Sequence, residues 1–206
     1  QNVEVSYEIG QDMLPATTQV KDTVVGGFTF THSNGFVAME AEHYFEAKAA
    51  EGTQWTVYPD FGRTRSAVAL TPYSKGTGDA SLTYQFSLPA DHPSEVTVHV
   101  VVKSTLDFMN RGGHEYTVSL DGSESATVNF NKNLVDRQPY MYSEFYPTIA
   151  RRVVENKVTL PVGKGDTHTL TLHPKHGGIV FEKIIVDFGG YKNSYLFGNE
   201  SDVRRQ

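Results

Sequence analysis

The chain has 206 residues, 38% of them hydrophobic and 20% charged, with 18 glycines, 12% aromatic residues and no cysteine. That length is enough for one large core without disulfides, and the glycine and aromatic content favours sheets with many turns over helices. A formal net charge of −6 excludes the basic footprint that nucleic acid requires, and no run approaches the roughly 18 consecutive apolar residues of a membrane-spanning helix.

Residues 1–27 lack sustained periodicity and contain Gly10, Pro15, Gly26 and Gly27, so they read as a linker or an N-terminal arm. The start at Gln1-Asn2-Val3, without Met or an apolar leader, is expected of a processed chain or of a fragment of a longer protein. A β-sandwich body is expected over residues 28–206. Strand-sized runs follow at Phe36 to Glu40, Trp55 to Tyr58 and Ser66 to Leu70. Residues 41–51, rich in Ala, Glu and Lys, suit a short helix or a turn. Leu82, Tyr84, Phe86 and Leu88 alternate with Ser81, Thr83, Gln85 and Ser87, and Val96, Val98, Val100 and Val102 share one face of the next run. Tyr116 to Leu120 and Ala126 to Phe130, joined through Asp121-Gly122-Ser123, make a hairpin. The runs 153–160, 167–173 and 179–187 complete a set of about ten strands, the pattern of an all-β antiparallel sandwich of jelly-roll type.

No phosphate-cradling glycine loop, Gly-x-Ser-x-Gly elbow or His-Glu-x-x-His pair is present. Glycoside hydrolysis needs two facing carboxylates, and no spacing singles out a pair, so no catalytic residue is assigned. His173 and His176 beside Pro174 and Gly177 read as turn residues and not as zinc ligands. Glu40 and Glu42, two apart on a strand, would present their carboxylates on one side, with Asp187 as a third oxygen donor for a hard cation such as calcium. The alternative is that these carboxylates face water or pair with Arg63 or Lys183. The segment 139–147 holds Tyr140, Tyr142 and Tyr146, a candidate platform for stacking on sugar rings or, alternatively, a lid with buried rings. Trp55, on a strand, is expected in the core.

The run Gly35 to Tyr44, then Phe61-Gly62-Arg63-Thr64, resembles the opening of the C-terminal domain of family 115 glycoside hydrolases, the xylan α-1,2-glucuronidases. Ser104 to Phe108, Tyr116 to Gly122, Thr167 to Leu170, Gly178 to Asp187, Asn193 to Leu196 and Glu200-Ser201 fall in that domain's order, while Phe197-Gly198-Asn199 replaces its Gly-Pro-Pro. The resemblance spans residues 28–201. It implies a secreted, periplasmic or cell-surface bacterial setting, catalytic domains upstream in the same polypeptide, xylan or glucuronoxylan as the polysaccharide, and roles in structure, homodimerisation or sugar binding. Glu40, Glu42 and Asp187 also match the structural calcium pattern of family 6 and family 35 carbohydrate-binding modules. A free-standing carbohydrate-binding module and a small glycan hydrolase or esterase are the alternative readings.

Overall fold

The computed structural model describes residues 18–20 and 23–205. Fifteen strands lie among them. In chain order they are β1 Thr18–Val20, β2 Thr23–Val25, β3 Phe28–Phe30, β4 Phe36–Glu40, β5 Glu46–Lys48, β6 Gln54–Tyr58, β7 Ala67–Thr71 and β8 Ser81–Ser87. There follow β9 Glu95–Lys103, β10 Glu115–Leu120, β11 Ala126–Asn129, β12 Val153–Pro161, β13 Thr167–Pro174, β14 Val180–Asp187 and β15 Val203–Arg205. A π-helical turn, Met141–Phe145, runs into the one α-helix among the described residues, α1 Tyr146–Arg151.

The strands form two sheets. Sheet I has the order β1-β6-β7-β14-β9-β12, with β4 pairing β14 beside β7. Sheet II has the order β11-β10-β13-β8-β3-β15, with β5 on β8 and β2 on β5. Every pairing is antiparallel except β3 with β8, which is parallel. The β10–β11 hairpin turns through Asp121 at φ 52° and Gly122 at φ 71°, left-handed values that match the twist of the flanking strands.

One core fills the space between the sheets. Trp55, Tyr84, Tyr116, Phe30, Phe86 and Phe181 are its largest fully buried side chains. The expected alternation is present: Leu82, Tyr84, Phe86 and the even-numbered valines 96–102 all point into it. Trp55 is in the core, as its strand position implies, and its indole N–H donates to the Lys48 carbonyl at 2.8 Å. Tyr84 likewise donates to the Ala41 carbonyl at 2.9 Å, so burial of either ring leaves no polar atom stranded.

The segment expected as a linker or arm carries paired strands. Thr18–Val20 pairs with β6 and Thr23–Val25 with β5, while Gly10 and Pro15 lie outside the described residues. Three-residue strands are too short to leave a periodic signal, although Thr23-Val24-Val25 is wholly β-branched. Gly26 is required by contact: a Cβ there would lie 2.4 Å from the Tyr44 carbonyl oxygen. Residues 41–44 form a turn that leads into β5 rather than a helix. The reverse occurs at 141–151, where helix replaces the expected loop. None of its residues is buried, so it has no apolar stripe for periodicity to detect.

Candidate functional site

The outer face of sheet I carries most of the charge chemistry. A β-bulge in β14, where Phe181 and Lys183 oppose Val102 and Val101, inserts Glu182 and turns two successive charged residues outward. Glu40 stands opposite Lys183 in the β4–β14 register. Its Oε1 lies 3.0 Å from Lys183 Nζ, Thr64 donates to the same oxygen at 2.6 Å, and Lys183 also donates to the Gly198 carbonyl at 2.7 Å. Both partners are 2% exposed.

The three carboxylates expected as calcium donors each have protein partners. Strand β4 ends at Glu40, so Glu42 lies in the following turn, where it accepts the Ser66 N–H at 3.4 Å. Asp187 lies four residues beyond Lys183 on β14, about 13 Å away at strand rise. There it accepts the backbone N–H groups of Gly189, Gly190 and Tyr191 at 2.8, 3.1 and 3.1 Å. Glu40, Glu42 and Asp187 are therefore not brought together, and among the described residues no cluster of three or more His, Asp or Glu is arranged for a metal. The Lys183 ammonium supplies a positive charge beside Glu40.

Of the three tyrosines, Tyr142 and Tyr146 meet, with ring centroids 5.7 Å apart and planes inclined by 42°. They are 69% and 47% exposed, and Tyr140 is half-buried before the helical turn. Spacing of i and i+4 puts the two exposed rings on one helical face, with Ile149 three residues further on.

A cleft of about 660 Å³ opens beside this helix. Its lining comes from six separate parts of the chain: Asp60 to Arg63 after β6, Tyr73 after β7, Lys103 to Thr105 with Phe108 at and beyond the end of β9, Arg151 to Val153 at the end of α1, Gly178 and Val180 at the start of β14, and Tyr195. Phe61 and Tyr195 are 53% and 74% exposed. The Lys103 ammonium lies 3.0 Å from the buried Glu182 carboxylate, an ion pair, and 4.7 Å from the centroid of the Phe61 ring. Glu182 also accepts the Arg63 N–H at 2.7 Å. The Arg63 guanidinium sits 4.2 Å from the centroid of the Tyr195 ring and donates to the carbonyls of Tyr195 and Arg151. Arg152 caps α1 at φ 61°, a left-handed position that glycine ordinarily fills. Except for Arg63, weighed as a carboxylate partner, sequence reasoning singled out none of these residues as a site, because their separation leaves no local spacing to read.

The segment 188–201 crosses the same face. Ser201 Oγ accepts the Ala38 N–H at 2.9 Å, and Glu200 bonds His43 at 2.6 Å. The Glu200 bond raises the His43 pKa above its ordinary 6.5. Burial pushes Glu200 upward, but the bond and charge of His43, with the Glu40 N–H and Arg65, hold it below 4.5. Buried His99 bonds Glu155 at 2.7 Å, which lowers the Glu155 pKa. Tyr191 packs against His99 at 4.9 Å, its phenol pushed up to about 12 by burial and by Glu155 and Asp187.

Two antiparallel-rich sheets over one core, with a solvent-open aromatic and cationic cleft on one outer face, define a β-sandwich module. Residues 29–200 match the glycosyl hydrolase family 115 C-terminal domain, and the chain belongs to that family, as an accessory domain of glycoside hydrolases. A solved structure of a family GH115 4-O-methyl-α-glucuronidase, BtGH115A, with specificity for decorated arabinogalactans, superposes with a TM-score of 0.57 and 19% identity over 74% of this chain. The likeness is one of fold, and this chain spans 17% of that one. Family 6 carbohydrate-binding modules are also similar. That of the laminarinase LamC from Zobellia galactanivorans gives 0.45, with 13% identity, over 74% of this chain and 98% of the module. CBM6cm-2 of Cellvibrio mixtus lichenase 5A gives 0.44, with 16% identity, over 77% and 98%. No curated protein matches the chain.

Proposed function

We propose that the chain is the non-catalytic C-terminal β-sandwich of a secreted bacterial α-glucuronidase, with the catalytic domains upstream in the same polypeptide, and that its cleft helps to hold the polysaccharide substrate. The observation that carries this reading is the family match over residues 29–200. The cleft supports it. Exposed rings of Phe61 and Tyr195 offer faces for sugar stacking, and polar groups beside them offer orientation. Among the described residues, Asp60 is the one carboxylate in the lining, whereas hydrolysis of a glycosidic bond uses two facing ones. Xylan decorated with glucuronic acid or its 4-O-methyl form is the proposed polysaccharide, and decorated arabinogalactan, the specificity of BtGH115A, is the second candidate.

A purely architectural role, in docking or in a homodimer, is the second reading, favoured by the exposed Tyr142, Tyr146 and Ile149 on one helical face. Incubation of the purified chain with glucuronoxylan and with arabinogalactan, followed by chromatography of released sugars, tests the non-catalytic assignment. No glucuronic acid is expected, and release abolished by changing a carboxylate of this chain overturns it. Affinity electrophoresis in the same polysaccharides separates the two roles: retardation relieved by Phe61→Ala with Tyr195→Ala supports sugar binding, and equal mobility supports the architectural role.

A further inference from the structure

We infer that a covered compartment of the cleft, closed by the Phe108 ring over His114, takes an acetyl group carried by a saccharide, with the acetyl carbonyl accepting the His114 Nε2–H. The assignment rests on the reading that the cleft takes a sugar, and adds a recognition site apart from the exposed rings of Phe61 and Tyr195.

The first observation is a buried donor without an acceptor. His114 is 1% exposed, and its neighbours fix its tautomer. Asn131 accepts the His114 backbone N–H through Oδ1 at 2.6 Å and donates from Nδ2 to the Thr105 carbonyl at 2.7 Å, which sets the orientation of the amide. The same Nδ2 lies 3.0 Å from His114 Nδ1, so Nδ1 accepts and the ring proton sits on Nε2. The Asp107 carboxylate, 4.0 Å from Nδ1, is beyond hydrogen-bond distance. Burial, outweighing the Asp107 charge, lowers the His114 pKa and keeps the ring neutral near neutral pH. Among the described residues Nε2 has no hydrogen-bond partner. The neighbouring His176 ring, with its centroid 6.1 Å away, uses Nδ1 to accept the Glu115 N–H at 2.9 Å. A buried N–H left in this way costs stability, and an acceptor oxygen would relieve that cost.

The second observation is where that N–H lies. Nε2 is 3.7 Å from the point that a Cβ on Gly178 would occupy, and the nearest Phe108 ring atom is 2.5 Å from the same point. Phe108 and Gly178 both line the cleft. The Phe108 ring packs on His114 with centroids 5.0 Å apart and planes inclined by 32°, yet it is 50% exposed. The backbone of its loop is held, because Asp107 accepts the N–H groups of Arg111, Gly112 and Gly113 at 3.1, 2.8 and 2.9 Å. Rotation of one half-exposed side chain therefore joins Nε2 to the cleft while the loop stays in place. The surroundings select the ligand. Beside Phe108 stand Tyr73, with ring centroids 6.4 Å apart, and Val180, two residues along from Gly178. The Tyr73 hydroxyl is engaged by that of Tyr58 at 3.1 Å. A sugar hydroxyl would set its own proton against these apolar side chains, whereas an acetyl group brings an oxygen that only accepts and a methyl that suits them.

The test is NMR of the 206-residue chain labelled with nitrogen-15 at histidine, in long-range spectra that resolve Nδ1 from Nε2. The titrants are two pairs: xylotriose with and without one O-acetyl group, and chitotriose against cellotriose. The free His114 ring is expected to carry its proton on Nε2, and that nitrogen is expected to shift with an acetylated saccharide and not with its unacetylated counterpart. The pair that responds identifies the carrier as an ester or an acetamido sugar. The acetylated member should bind with a Kd about tenfold lower, the combined worth of one neutral hydrogen bond and one buried methyl. His114→Leu should abolish that margin, and His114→Gln, which keeps an N–H on its side chain, should retain part of it. The wild-type Nε2 resonance decides the matter if the Leu variant does not fold. Equal affinities within both pairs overturn the inference and leave the sugar site standing. No binding of any saccharide overturns both. A proton on Nδ1, an Nε2 resonance that no acetylated saccharide moves, or a margin undiminished in His114→Leu also overturns the inference.

Discussion

The outer faces of the two sheets obey opposite rules. In sheet II, β8, β10 and β13 alternate: Leu82, Tyr84 and Phe86, Tyr116 and Val118, and Leu170 and Leu172 are buried, while Thr83, Gln85, Thr117, Thr169 and Thr171 are half-exposed. In sheet I, every residue of β14 from Val180 to Val186 is buried. Its outer face lies under the segment 188–201, so the charges on it are matched inside the protein, as Glu40 with Lys183 and Lys103 with Glu182. A sheet with one wet face tolerates polar residues without partners, and a sheet covered on both faces does not. The cleft opens where the cover over sheet I stops.

The core sets the upper end of the scale for any test of this contrast. Trp55→Ala, which removes a fully buried ring, is expected to cost about 3–5 kcal/mol in urea unfolding. On the covered face, Lys183→Met leaves Glu40 buried without its cation and is expected to cost about 3 kcal/mol. The double change with Glu40→Met should recover much of that loss, and melting curves of the wild type with calcium and with chelator should superimpose. A chelator-induced fall in Tm would show that a cation, and not Lys183, supports this face.

The His43–Glu200 bond at 2.6 Å gives a smaller and pH-dependent effect. His43 titrates above 6.5 in the fold, so its contribution is complete below that value and is lost as pH rises through the raised one. Glu200 titrates below 4.5, so its contribution is complete above that value and is lost as pH falls through the lowered one. The pair is therefore strongest between pH 4.5 and 6.5. His43→Gln should cost about 1–2 kcal/mol near pH 6 and less at pH 8, and a pH-independent difference would show that packing, not charge, anchors Glu200. Thr171→Ala on the wet face of sheet II should stay within about 0.5 kcal/mol.

The same contrast explains what the sequence made legible. Sheet II was readable because each strand has one dry and one wet face, which gives period 2 at Leu82 to Leu88 and at Tyr116 to Leu120. Strand β9 was readable from its valines. The β14 bulge was not, because Glu182-Lys183 reads as two polar residues on opposite sides until an inserted residue turns both outward. Glu40 and Glu42 read as a pair on one strand, whereas the strand stops at the first of them and the second lies in the following turn. Tyr142 and Tyr146 were recognisable as ring-bearing neighbours, but their helical setting was hidden by the lack of any buried residue there. The cleft was the least legible feature. Phe61, Lys103, Arg152 and Tyr195 become neighbours only after the strands of sheet I have assembled, and the left-handed backbone of Arg152 has no signature in a residue type that ordinarily avoids it.

The segment that covers sheet I also constrains the order in which the domain can assemble. It joins residues 163 apart in sequence at Ala38 and Ser201, and just beyond it β15 pairs with β3, setting Val203 against Phe30. Contacts of such long range are slow to form, because the loop entropy is lost before the contacts repay it. A ribosome-bound chain that has reached residue 187 would hold β14 with Glu40 and Lys183 uncovered, a pairing-competent but unfinished sheet. Completion would wait for synthesis of the next sixteen or so residues, which makes that interval the window in which a chaperone or a neighbouring domain would have most to shield.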